Sequence, residues 1–159
     1  MRGVRALPSE SGRTACPSGF LFLKRGRRAG WALHAAAAWH GTEPLTAPLP
    51  LGLFGASTGA AAALRLTADS GSGIADVVSR GGRPDLAGNA LDQVMAPTLL
   101  TVGGADEAVL NLNRQALGAL GGPKALEVIP GATHLFEEPG ALEQVAGLAT
   151  NWFVHHFEL

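Results

Sequence analysis

From residue 51 to the carboxyl end, short apolar runs alternate with longer helical stretches, and that rhythm leaves few folds open. Residues 51–55, 74–79, 98–102 and 125–129 are apolar segments of strand length. Between and after them, residues 57–68, 85–94, 107–120 and 138–157 suit helices. Asp85 is placed to cap the second of these, Gly121-Gly122-Pro123 ends the third, and Pro139 lies near the first turn of the last. Strands separated by helices join through right-handed crossovers into a parallel sheet. Their apolar character on both faces calls for helices on both sides. The expected fold class is therefore α/β.

Ahead of this pattern the composition changes. Residues 1–30 hold seven of the twelve basic side chains and one acid, a net charge of +6, whereas residues 31–159 carry −7. The first piece reads as a loosely ordered basic leader with a short strand at 19–23, followed by an Ala-rich helix over 30–40 that Gly41, Pro44, Pro48 and Pro50 bring to an end. Positive charge follows the apolar run at 19–23, the reverse of a secretory signal, and Pro8 and Pro17 interrupt any amphipathic transit helix. No apolar run approaches the ~20 residues that span a bilayer. A cytoplasmic location is the expectation. The overall charge of −1 argues against a nucleic-acid partner. Cys16 stands alone, and none of the five histidines has His-Glu-x-x-His spacing, so neither a disulfide, a metal site nor a cofactor is expected.

In an open parallel sheet the chemistry gathers at the carboxyl ends of the strands. Gly55-Ala56-Ser57-Thr58-Gly59 joins a strand to a helix in the G-x-S-x-G pattern. Such a turn lifts a serine hydroxyl above the sheet, with small residues two before and two after it to avoid clashes. The N–H of Thr58, at the helix start, could stabilise an oxyanion. The ordinary alternative makes Ser57 a simple helix cap. After the third strand comes Asp106, which could orient an imidazole or merely cap the next helix; Glu107 is the fallback acid. The fourth strand leads to His134, a candidate general base. The order Ser57, Asp106, His134 matches the α/β-hydrolase order. Arg80 and Arg83, in the loop after the second strand, could clamp an anionic substrate group, although pairing with nearby acids such as Asp85 is the simpler and favoured account of them.

Four blocks carry a family resemblance: LPLGLFGASTGAAAAL at 49–64, VSRGGRPDL at 78–86, APTLLTVGGAD at 96–106 and PGATHLFEEP at 130–139. Together they resemble the dienelactone-hydrolase-like α/β-hydrolases over roughly residues 42–157. Some members of that group are fused to, or encoded with, a phosphoribosyltransferase. The resemblance implies a carboxylic ester hydrolase with Ser57 as nucleophile, Asp106 as acid and His134 as base, working on a small ester, thioester or lactone. It also implies an association with a phosphoribosyltransferase. Dienelactone hydrolases proper use cysteine where this chain has Ser57, so their substrate is not carried over. Relatives begin with several strands and a His-Gly-x-Gly-like loop that donates a second oxyanion proton. His40-Gly41 is the only His-Gly pair here and falls at a helix end. A partial domain lacking those first strands is expected, with the apolar edge of the strand at 51–55 open to self-association. The alternative class is a non-catalytic remnant or interaction module.

Overall fold

The computed structural model describes residues 25–69 and 71–157. The elements are α1 (Arg25–Thr42), β1 (Leu51–Ala56), α2 (Thr58–Ala68), β2 (Ile74–Arg80), a 3-10 segment (Pro84–Gln93), β3 (Thr98–Gly103), α3 (Glu107–Ala119), β4 (Lys124–Ile129) and α4 (Ala141–His156). Helix α1 starts at Arg25, so the last part of the expected leader is helical. The expected strand at 19–23, Cys16 and the rest of the leader lie outside the described residues.

All pairings are parallel and the strands lie in sequence order, β1-β2-β3-β4. Right-handed crossovers that always step the same way deliver their helices to one face. Successive side chains on a strand point to opposite faces, and the two packing layers follow from that. Val77 and Leu100 pack with Leu64 and Leu66 of α2, Ala87 and Leu91 of the 3-10 segment and Ala116 of α3. Their neighbours Val78 and Leu99 pack with Ala149 of α4, and Trp152 and Phe153 close over them. Helix α4 follows the last strand and is free to cross to the other face. Leu33 and Ala37 of α1 pack against the first layer.

Two elements depart from the sequence reading. The segment expected as an α-helix over 85–94 is 3-10, with Pro84 in its first turn and Arg83, not Asp85, at its cap. Gly88 sits at φ 60° and ψ −134°, a conformation that interrupts any continuous i to i−4 ladder. The last helix begins at Ala141 instead of residue 138, because Gly140 takes the left-handed conformation at φ 79°. Among the described residues β1 and β4 form the two edges of the sheet. Lys124 and Glu127 charge the β4 edge, whereas β1 is wholly apolar and exposes Phe54.

Candidate active site

β1 ends at Ala56 and α2 begins at Thr58, leaving Ser57 alone to make the turn. It does so at φ 49° and ψ −123°, a region where a residue with a Cβ is strained by about 1–3 kcal/mol. Three bonds hold it there. The Ser57 N–H donates to the Arg80 carbonyl at 3.1 Å, and the Ser57 carbonyl accepts from Arg83 N–H at 3.1 Å and Ala60 N–H at 3.2 Å. The Ser57 hydroxyl makes no cap bond to α2, so capping does not explain the serine. Gly55 is required, since a Cβ there would lie 2.6 Å from the Ala60 Cα. Gly59 is different: an added Cβ would meet nothing within 4 Å among the described residues. Only one of the two motif glycines is therefore demanded by local packing. Thr58 opens α2, and its N–H belongs to the first turn, where helix N–H groups lack an intrahelical acceptor.

At the end of β3, Asp106 does both things the sequence left open. Its Oδ1 accepts from Val109 N–H at 3.4 Å, capping α3, and its Oδ2 meets His134 Nδ1 at 2.7 Å. The Asp106 side chain is 15% exposed and that of His134 is 41% exposed. The carboxylate is thus shielded while the imidazole remains open to a substrate. Glu107 lies in the first turn of α3, outside this pair, where the helix dipole favours an acid.

The loop carrying His134 is stitched to the one carrying Asp106. Gly104 N–H donates to Ile129 carbonyl at 2.8 Å, and Ala105 N–H to Ala132 carbonyl at 2.9 Å. Gly103 permits this approach, because a Cβ there would collide with the Ala132 carbonyl oxygen and sit 2.7 Å from that of Thr133. Phe136 buries its ring with Ile129, Ala132 and Val145 despite a positive φ of 58°. A Cβ at residue 81 would lie 3.8 Å from His134 Cε1, so the imidazole edge faces the turn whose first carbonyl, that of Arg80, receives the Ser57 N–H.

The two arginines part company. Arg83 is held by Asp85 through two bonds of 2.8 and 2.7 Å, and this pairing raises the Arg83 pKa and lowers that of Asp85. Arg80 instead places its guanidinium 5.4 Å from the centre of the Phe136 ring.

No family model matches the chain. A dienelactone hydrolase from Anabaena variabilis superposes with a TM-score of 0.80 at 50% identity, covering 84% of this chain and 62% of that one. The fold is that of the dienelactone-hydrolase-like α/β-hydrolases. An esterase domain from Rhodothermus marinus shares this α/β-hydrolase fold at a TM-score of 0.68 and 16% identity, over 80% of this chain and 69% of its own. In sequence, a Mycobacterium tuberculosis protein that carries the name phosphoribosyl transferase is 61% identical over 118 residues. That match covers 74% of this chain, which spans 27% of the longer protein's length.

Within this α/β-hydrolase fold, several polar residues escaped the sequence reading. Asp76, on the middle of β2, is fully buried, and its Oδ1 accepts from the Trp152 indole at 2.7 Å. His156 Nδ1 stands 3.4 Å from Asp76 Oδ2. Burial pushes the Asp76 carboxyl up to about 6, against the opposing pull of Trp152 and His156. The available signal was an acid in a strand apolar on both faces. Asn113 is buried on α3 and donates to the Gly82 and Val109 carbonyls at 3.0 and 2.8 Å. Among the described residues, no cluster of three or more His, Cys, Asp or Glu could hold a metal, and no helix is long and apolar enough to cross a membrane.

Proposed function

We propose that this chain carries a serine hydrolase site for a small ester, thioester or lactone. His134 takes the proton from Ser57 Oγ, and that oxygen adds to the acyl carbonyl. The carbonyl oxygen becomes an anion facing the Thr58 N–H. Collapse expels the alcohol or thiol, which leaves with the proton from His134, and Ser57 holds the acyl group as an ester. Water then gives a proton to His134, attacks the ester and releases the acid, while the proton returns to Ser57. Asp106 fixes the imidazole tautomer and stabilises its protonated form. The observation that carries this reading is Ser57 itself, in a strained turn with its hydroxyl left out of any cap, beside the strand ends that hold the 2.7 Å Asp106–His134 pair. Strain of this kind persists where function selects it. A fluorophosphonate probe should label wild type at Ser57 and leave Ser57→Ala unlabelled. Folded wild type that resists the probe contradicts the reading.

A second reading concerns partners. Among the described residues β1 pairs only with β2, and its open edge is apolar with Phe54 exposed. Such an edge pairs readily with another chain. We infer that it supports self-association, with a phosphoribosyltransferase as the alternative partner suggested by the Mycobacterium tuberculosis relative. Sedimentation of the purified chain should give a dimer that Phe54→Lys converts to monomer; a monomer throughout removes the self-association reading.

A further inference from the structure

We propose that Asn113 is a positioning residue that locks the 80–83 turn and, through it, sets Ser57 and His134 at a common reach. The proposal rests on the reading of Ser57 as nucleophile.

Asparagine is a poor helix former, yet residue 113 lies in the middle of α3 on the face that carries Val109 and Leu110 into the core. A buried amide is costly unless its polar atoms are bonded. Both hydrogens are, one to the carbonyl of Val109 a turn earlier and the other 31 positions back in sequence to Gly82, while Oδ1 has no partner among the described residues. The second bond ties α3 to a turn that contributes no side chain to the proposed chemistry.

That turn touches both reacting groups. Its first carbonyl, on Arg80, receives the Ser57 N–H, and its last N–H, on Arg83, donates to the Ser57 carbonyl. The strained serine is held by its two ends. Between them, Gly81 donates to the Thr101 carbonyl at 2.7 Å. A Cβ at residue 81 would be 3.1 Å from the Phe136 ring and 3.5 Å from the His134 carbonyl oxygen. The turn is also wedged from below, because a Cβ on Gly82 would run into Ser79 Oγ and lie 2.8 Å from Ala60 Cβ. The Asn113 amide is the side-chain bond that ties this turn to α3. The same helix caps itself with Asp106, so α3 links the acid at its first turn to the serine through the residue two turns on.

Asn113→Leu and Asn113→Ala both remove the donor to Gly82, and the second adds no bulk should the first fail to fold. With p-nitrophenyl acetate, kcat should fall roughly 10–100-fold while KM stays within about threefold, as expected when reacting groups are misplaced and not lost. Amide exchange should quicken by about tenfold or more at Ser57, Gly81 and Arg83 while Leu99 and Leu100 of β3 keep wild-type protection. Wild-type kcat, or faster exchange spread evenly over the sheet, overturns the proposal. If wild type shows no Ser57-dependent turnover, the hydrolase reading fails, and the exchange pattern alone decides whether Asn113 holds the turn.

Discussion

Asp106 grips His134 with one carboxylate oxygen and caps its own helix with the other. The two tasks separate under mutation. Asn is as good a helix cap as Asp, so Asp106→Asn should leave stability within ~0.5 kcal/mol of wild type. It should also present the wrong hydrogen-bonding partner to Nδ1 and lower kcat by about 10³–10⁴-fold. Asp106→Ala should add a stability loss of about 1 kcal/mol from the missing cap. Urea titrations and ester turnover on the three proteins check both halves.

The strain at Ser57 has its own signature. Glycine adopts φ 49° without the Cβ penalty, while alanine keeps the penalty and loses the hydroxyl. Ser57→Gly should therefore be more stable than Ser57→Ala by about 1–2 kcal/mol, with both inactive. Equal melting temperatures would mean that the turn is unstrained and would remove the main support for a serine placed by function.

Glycines that look alike in sequence should respond in opposite ways. Gly103→Ala drives a methyl group into the carbonyls of the His134 loop and should cost about 2–3 kcal/mol, with loss of turnover. Gly59→Ala meets open space inside α2 and should stabilise by about 0.5 kcal/mol through helix propensity. Thermal melts of the two variants test the contrast.

The strand rhythm from residue 51 onward was legible because the strands are short, mostly apolar runs and each helix has room to form. The four strands fall within a residue of their expected ends, and β2 and β3 are buried as expected on both sides. The positions of Ser57, Asp106 and His134 at the strand ends were legible for the same reason: topology sends those loops to one rim. What stayed hidden depends on contacts distant in sequence. Asn113 reads as an indifferent polar residue until Gly82 lies against it, and Asp76 reads as a strand impurity until Trp152 arrives from α4. The 3-10 segment was missed because Gly88 turns the chain where composition alone permitted a helix. Pairing with Asp85 was already the favoured reading of Arg83 from the sequence, and the fold contains it.

Asp76 gives the molecule a pH dependence that can be isolated. Its carboxyl is pushed up to about 6 in the folded state, while an unfolded chain leaves it near 3.9. Between those values the folded form retains a proton that the unfolded form has released. Stability from this group is thus fully present below about pH 4 and is lost as pH rises through about 6. The loss amounts to about 2–3 kcal/mol when complete. His156, which meets its exposed neighbour His155 edge-on, and the Trp152 indole face the carboxylate from α4 and limit the effect. Asp76→Asn keeps an acceptor for the indole and cannot ionise. Its stability relative to wild type should be near zero at pH 4 and grow to the full difference by pH 7, read from urea midpoints across that range. A difference that stays flat with pH would show that the buried carboxyl is ionised in the folded state throughout.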